Sequence, residues 1–249
     1  METTSRCSPN DHQNDHLVII GNGMASHRLI EGLVKQPTRP QRITVIGAEP
    51  TPAYNRILLS PLLAGEMQQD ALTLRDTAWY AEQGVTLILD EKVETLDRAS
   101  QTLATDSGRS LDYDHLVIAT GSRPALPDVP GIELEGVHGF RDLQDAEALE
   151  AIAQRGGDAV VIGGGLLGLE AAEGLRKRGN GINVSVLQRS ERLMNRQLDT
   201  TAAHLLKDTL TQRGLNIITG AQLERLESDA RGRVAKVHLA DGLQLNASS

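Results

Sequence analysis

Cysteine is almost missing from this chain: 249 residues carry one, Cys7, in a polar leader. One thiol makes no internal disulfide, no CxxC redox pair, no four-cysteine iron–sulfur site and no zinc ribbon. Cys7 reads as a free thiol in a disordered leader, residues 1–15. Aromatic side chains are scarce as well. One Trp, three Tyr and one Phe are too few for a platform that stacks single-stranded nucleic acid. Basic charge is in deficit, with 25 Lys and Arg against 33 Asp and Glu and a net charge of −8, which argues against general nucleic-acid binding. No apolar run approaches membrane-spanning length, and Met1–His16 lacks the apolar stretch of a secretory signal. A soluble, cytoplasmic protein is expected. The seven His are scattered, with no HExxH spacing, so no metal site is expected. There is no GxSxG elbow and no GxxxxGK[ST] loop, which leaves hydrolase and kinase readings without support.

What the chain does have is a pair of glycine-rich turns about 140 residues apart. Gly21-Asn22-Gly23-Met24-Ala25-Ser26 follows the apolar run Leu17–Ile20. Gly163-Gly164-Gly165-Leu166-Leu167-Gly168 follows Ala159–Ile162. Each sits where a strand buried on both faces turns into a helix. A dinucleotide pyrophosphate can meet a helix N-terminus there with no Cβ in the way. One such turn is a weak signal. Two predict two dinucleotides in one protein, and such proteins pass electrons between them.

The pattern is α/β. In the first half, Ala25–Lys35 and Thr77–Gln83 read as helices. Ile43–Ile46, Val85–Leu89, Val93–Leu96, Thr102–Ala104 and Leu116–Ala119 read as strands, the middle ones as an antiparallel excursion. The stretch around Pro50, Pro52 and Pro61 reads as a loop, and Pro127-Pro130-Gly131 as a crossing linker. In the second half, Leu143–Gln154, Leu166–Arg178 and the stripe Ala202–Leu210 read as helices. Asp158–Ile162, Val184–Leu187, Leu215–Ile218 and Val234–Leu239 read as strands. The expected division is residues 16–125 and 126–249.

In the first turn Gly21 and Gly23 allow the bend and the approach of phosphate. Ser26 stands where a third glycine would pack helix on strand, a slight weakening. Glu49, 28 residues after Gly21, ends the second strand, where an acid accepts hydrogen bonds from ribose hydroxyls. In the second turn Gly163, Gly165 and Gly168 complete the motif. Glu170 lies in the first turn of the next helix. It either complements the helix dipole or sits near a redox centre; both readings stay open. After the next strand come Gln188 and Arg189, with Arg192 nearby and no acid at the strand's end. Gln188 can bond a ribose, and either arginine can accept a 2′-phosphate or belong to a solvated loop.

Gly21–Ala25, Gly47-Ala48-Glu49-Pro50, Tyr54–Pro61, Ala119–Pro124, Gly163–Ala172 and Leu193–Asp199 together resemble the large subunit of bacterial NAD(P)H-dependent nitrite reductase. Any one of them alone resembles the wider pyridine nucleotide–disulfide oxidoreductase superfamily, with its rubredoxin and ferredoxin reductases. The resemblance implies two Rossmann-like dinucleotide-binding domains: an FAD-binding domain with a β-meander, then an NAD(P)H-binding domain. It implies that Gly21, Gly23 and Ser26 line the FAD pyrophosphate and that Glu49 holds the adenosine ribose. Arg56 would reach the flavin side, and Ala119, Thr120 and Gly121 would close over the cofactor. Gly163, Gly165 and Gly168 would take the NAD(P)H pyrophosphate. Hydride would pass from nicotinamide to flavin, and electrons then to an iron–sulfur or siroheme acceptor.

Three departures qualify that expectation. Pro61 stands where many relatives carry a Lys, so Glu170 loses that partner. The superfamily's redox cysteines are absent. The second FAD segment and the nitrite-reducing part are also absent, so a C-terminally incomplete FAD domain is expected. The leading expectation is the electron-input module of a nitrite-reductase-type flavoprotein. A truncated, non-catalytic nucleotide-binding fragment and a reductase for a small iron–sulfur protein are the alternatives. The choice of NADH or NADPH and the formation of a homo-oligomer stay open.

Overall fold

The structure is a computed structural model that describes residues 15–179 and 181–248. The expected disordered leader and Cys7 lie outside the described residues, apart from Asp15. The chain divides into two compact units: residues up to Arg56 with Leu72–Ser122, and Ile57–Ala71 with Arg123–Ser249.

In the first unit, strand β1 (His16–Ile20) leads through the glycine turn into helix α1 (Met24–Leu33) and strand β2 (Arg42–Ile46). Residues 57–71, which carry the short helix α2 (Leu59–Leu63), then belong to the second unit. The two ends of this excursion are pinned inside the first unit. Asn55 N–H donates to Leu72 O at 2.8 Å, Leu74 N–H donates to Ala53 O at 3.0 Å, and Tyr54 bridges Thr73. Helix α3 (Thr77–Glu82), capped by Asp76, and strand β3 (Val85–Ile88) follow. The antiparallel excursion forms as β4 (Val93–Asp97), β5 (Thr102–Thr105) and β6 (Ser110–Asp112), and β7 (His115–Ile118) returns to the main sheet. That sheet is parallel throughout, in the order β3-β2-β1-β7.

Period-2 alternation explains why β1 is buried along its whole length. Leu17 and Ile19 pack with Ile30 of α1 and Tyr80 of α3, while Val18 and Ile20 pack with Leu103 and Tyr113 beneath the meander. The layers are therefore helix, parallel sheet, antiparallel sheet.

The second unit repeats this plan. It contains α4 (Leu143–Arg155), β8 (Gly157–Ile162), α5 (Leu166–Arg178), β9 (Ile182–Gln188), α6 (Thr200–Gln212) and β10 (Asn216–Thr219). A second meander follows: β11 (Leu223–Ser228), β12 (Val234–Leu239) and β13 (Gln244–Asn246). The parallel sheet runs β10-β9-β8. Ala159, Val184 and Val186 pack with the helices, including Leu63 of α2; Leu187 packs with the meander. Gly174 makes room for Leu63, because a Cβ there would lie 2.9 Å from the Leu63 side chain.

Helix α2 and strand β11 depart from the sequence pattern, which also leaves the short strand β6 unmarked. Helix α2 forms across Pro61, in what reads as a loop. Proline is its third residue, where the missing N–H has no intrahelical partner to lose. Strand β11 is unmarked in the pattern because its pairing with β12 shifts register at Leu223/Arg225 and again at Glu227/Ser228. Such bulges break the alternation by which a strand is read. The linker through Pro130 and Gly131 lies on this meander: Pro130 O accepts from Leu226 N–H at 2.9 Å, and Glu135 O accepts from Val234 N–H at 2.8 Å.

Glu91 fastens the first meander. Its carboxylate accepts Nε and Nη2 of Arg109 at 2.9–3.1 Å, Thr105 Oγ1 at 2.9 Å and Ser107 Oγ at 3.0 Å. The Arg109 hydrogen bonds, with those of the two hydroxyls, hold its pKa down at about 2, against an ordinary 4.5. A carboxyl whose folded pKa is depressed stabilises the fold above its unfolded pKa and loses that contribution as pH falls through the folded value. Replacing Glu91 by Gln will therefore lower the urea midpoint relative to the native chain at pH 7. The gap will begin to narrow below about pH 4.5 and will close near pH 2.

Candidate functional site

The two glycine turns are built alike. Gly21 N–H donates to Ile46 O and Gly163 N–H to Leu187 O, each at 2.8 Å. In both turns the first glycine thus ties the end of its own strand, β1 or β8, to the end of the neighbouring parallel strand. Both have positive φ, +104° at Gly21 and +121° at Gly163, which only glycine adopts freely. A Cβ at Gly21 would also run into the Ala119 carbonyl. The second glycine of each turn, Gly23 or Gly165, is the N-cap of its helix, and a Cβ on either would meet nothing within 4 Å.

The caps separate these two helices from α3, α4 and α6, while the five-residue α2, with Leu58 at its N-cap, also lacks a side-chain cap. Asp76, Asp142 and Asp199 cap α3, α4 and α6 through side-chain oxygens. Helices α1 and α5 have no side-chain cap and no acid in the first turn. Their first N–H groups meet no side-chain cap and carry the positive end of the helix dipole. Helix α5 also carries Arg176, Lys177 and Arg178 in its last turn, which stabilises the opposite pole. Open space over a glycine cap, orphan donors and positive potential fit a pyrophosphate at both turns.

The third positions differ. A Cβ at Gly168 would collide with the Gly163 carbonyl oxygen. At the matching place Ser26 fits: it is fully buried and donates to Gly21 O at 2.5 Å. The serine braces the turn from inside. It neither weakens the bend nor lines the open face where the sequence placed it.

Glu49 is positioned by two neighbours. Tyr54 Oη donates to Glu49 Oε2 at 2.7 Å, and the Arg56 guanidinium pairs with Oε1. Arg56 also stacks over the Tyr54 ring, 4.8 Å from its centroid. The expectation takes Arg56 to the flavin side; in the structure its guanidinium orients the Glu49 carboxylate. A carboxylate accepts about four hydrogen bonds, so Glu49 retains capacity for two ribose hydroxyls. Asn22, inside the turn, has a buried Nδ2 without a partner among the described residues. Its Oδ1 accepts from Tyr80 Oη at 3.4 Å, and His27 Nδ1 lies 3.2 Å from the same hydroxyl. Burial pushes the Tyr80 phenol up to about 12 and lowers the His27 pKa, so this internal chain is neutral. Ala119 N–H donates to Ile20 O at 2.7 Å, while Thr120 and Gly121 are exposed, Gly121 with φ +76°.

In the second unit Gln188 bonds the turn itself: Oε1 accepts Gly164 N–H at 2.7 Å, and Nε2 donates to Ser190 Oγ. Arg189 is exposed. Glu170 is the fifth residue of α5, beyond the first turn, so the dipole reading does not hold for it. Having no lysine, it accepts Ser60 Oγ at 2.6 Å. Both line a cavity of about 500 Å³ in the second unit, walled by α2, α5, Met194 and Leu206. Tyr54, Asn22 and Ser60 were missed as site residues. Tyr54 had a signal, an aromatic within reach of Glu49 in an aromatic-poor chain; the other two had none.

The pyridine nucleotide-disulphide oxidoreductase family matches residues 15–249. The chain is 42% identical over 235 residues to an assimilatory nitrate reductase electron transfer subunit of Bacillus subtilis (strain 168), covering 94% of this chain and 30% of that protein. It is 42% identical over 231 residues to a nitrite reductase [NAD(P)H] of the same organism, covering 93% and 28%. The chain thus spans less than a third of the length of these relatives. Among solved structures, the covalent putidaredoxin reductase–putidaredoxin complex matches with a TM-score of 0.84 at 30% identity, over 94% of this chain and 57% of that one.

Gly168→Ala will cost more than Ser26→Ala in urea denaturation. The first forces α5 off its strand, about 1–3 kcal/mol or more. The second loses one buried hydrogen bond, about 1 kcal/mol. Equal losses would mean that the two turns are not braced differently.

Proposed function

The chain belongs to the pyridine nucleotide-disulphide oxidoreductase family, and on that premise we propose that it is an electron-input module binding FAD in the first unit and NAD(P)H in the second. The observation that carries this reading is the pair of uncapped helices, α1 and α5, opening on glycine where the other long helices carry aspartate. When bound, FAD supplies the conversion of a two-electron nicotinamide donor into single electrons for an acceptor.

The chain's own residues divide the work. Gly21 and Gly23 admit one pyrophosphate, with Ser26 holding the turn. Glu49, oriented by Tyr54 and Arg56, accepts the adenosine ribose hydroxyls. The backbone of Ala119, Thr120 and Gly121 borders the first site. Gly163, Gly165 and Gly168 shape the second, and Gln188 stiffens it. Glu170, held by Ser60 at the wall of a largely apolar cavity, is the ionisable group we place nearest the nicotinamide chemistry. The acceptor is an iron–sulfur or siroheme centre of the nitrite-reductase type. The similarity to an electron transfer subunit and to a reductase crystallised with its redoxin supports an acceptor of this class. The reading places the chain in the cytoplasm, with the nicotinamide pool.

The test is the visible spectrum of the purified protein after FAD addition and desalting. A retained band near about 450 nm, bleached by NADH or NADPH, is expected. Glu49→Ala will weaken FAD retention by about tenfold or more, the cost of losing a charge-assisted ribose contact. Retained flavin that neither nicotinamide reduces would sink the proposal.

A further inference from the structure

Behind the first glycine turn, polar side chains run in a line from the turn to the surface. Asn22 Oδ1 lies 3.4 Å from Tyr80 Oη, His27 Nδ1 lies 3.2 Å from the same hydroxyl, and His27 Nε2 lies 3.6 Å from Glu31 Oε1. Tyr80 and His27 are buried, while Glu31 reaches the surface and pairs there with Arg28 and Arg75. Gly47 leaves room for the amide, because a Cβ there would lie 2.9 Å from Asn22 Cβ. The glycine motif itself needs only backbone, so this line of side chains is an addition to it.

The Tyr80 hydroxyl has one hydrogen and two acceptors within reach. With a hydrogen on His27 Nδ1, the imidazole donates to Tyr80 Oη and Tyr80 donates to Asn22 Oδ1. The amide then keeps its donor, Nδ2, at the end turned away from Tyr80, buried inside the turn. Neutral His27 has a single ring hydrogen, and the Glu31 carboxylate draws it to Nε2. Nδ1 is then a bare acceptor, nearer to Tyr80 than the amide oxygen is, and takes the hydroxyl hydrogen. Asn22 Oδ1 would face an oxygen lone pair, which the amide relieves by turning over and donating to Tyr80 from Nδ2. Its carbonyl oxygen then lies inside the turn. Neutral His27 thus permits both directions, and protonated His27 permits only the first. A donor inside the turn favours an anion there, and a carbonyl oxygen disfavours it.

We propose that Tyr80 is a positioning residue of the first glycine turn and that His27 gates it, a proton on His27 holding the donor end of the Asn22 amide inside the turn. The inference rests on the reading that the first unit binds FAD. The charged groups acting on His27 are Glu31 on its own helix and Arg75 on the approach to α3; Trp79 and Tyr80 of α3 are uncharged, and the buried side chains between α1 and the strands are apolar. Burial, opposed by the Glu31 carboxylate, keeps the His27 pKa below its ordinary 6.5, so the gate closes on one direction only as pH falls below neutrality.

Trp79, the single tryptophan, reports the proton: its ring lies 5.6 Å from that of His27, and a cationic imidazole at that range quenches indole emission. The emission of the native chain is expected to fall with a midpoint below 6.5, and in His27→Leu the fall is expected to vanish. Calorimetry is expected to show FAD binding about fivefold more tightly at about pH 5.5 than at about pH 8, the worth of one neutral hydrogen bond, with uptake of a proton on binding. The pyrophosphate of FAD has no group that titrates in this range. The variants will part in opposite directions. His27→Leu, which removes the rival acceptor, will bind FAD tightly at both pH values; Tyr80→Phe, which removes the shared hydrogen, will bind it weakly at both. A role confined to packing would weaken the two alike and would overturn the proposal. A native affinity that is flat with pH, or a pH dependence that survives in His27→Leu, would overturn it too while leaving the FAD reading intact. FAD bound by none of the chains at any pH would overturn that reading as well.

Discussion

One hydrogen bond, made twice, organises the protein: the first glycine of each turn donates to the last carbonyl of the neighbouring parallel strand. It fixes the point where the strand before each turn stops and the helix starts. The helix N-terminus is thereby aimed past the ends of two strands at once. The geometry requires positive φ at Gly21 and Gly163, so the backbone cannot make this bond with an ordinary residue in place. Packing follows from it. The strand before each turn is sandwiched between helices and a meander, with alternate side chains committed to opposite layers.

The helix ends show what this arrangement gives up. An aspartate cap is worth about 1 kcal/mol, and α3, α4 and α6 each have one. Helices α1 and α5 forgo it and keep open donors under a glycine. A local rule that α1 and α5 break at equivalent points, each under a glycine, marks function more surely than either motif by itself. The compensation lies elsewhere in the fold. Ser26 braces the first turn and Gln188 the second, while the basic last turn of α5 is tied by Arg176–Glu173, Lys177–Glu66 and Arg178–Glu150.

Much of this was legible in the residues. The run Leu17–Ile20 is uniformly apolar because it is buried on both faces, and Leu166–Arg178 keeps helical bounds because nothing within it breaks the pattern. Other parts were not legible for physical reasons. Pro61 reads as a breaker, yet in the first turn of α2 it removes no bond. The bulges of β11 shift its side chains off alternation. At the site, the glycines and Glu49 announce themselves by type and spacing. The roles of Ser26, Tyr54 and Ser60 do not, because each acts through a partner that only the fold brings near: Gly21, Glu49 and Glu170.

The short excursion of residues 57–71 illustrates that last point most fully. Its ends are clamped together in the first unit by Asn55–Leu72 and Leu74–Ala53 bonds, immediately after Arg56 has paired with Glu49. Its middle inserts Leu63 into the core of the second unit through the gap left by Gly174, and brings Ser60 to Glu170. One stretch of chain is thus fixed at its base by backbone pairing beside Arg56 and at its tip by Leu63 and by the Ser60–Glu170 bond. A substitution that loosens either anchorage is felt along the same fifteen or so residues, because so short a loop has little entropy to absorb it.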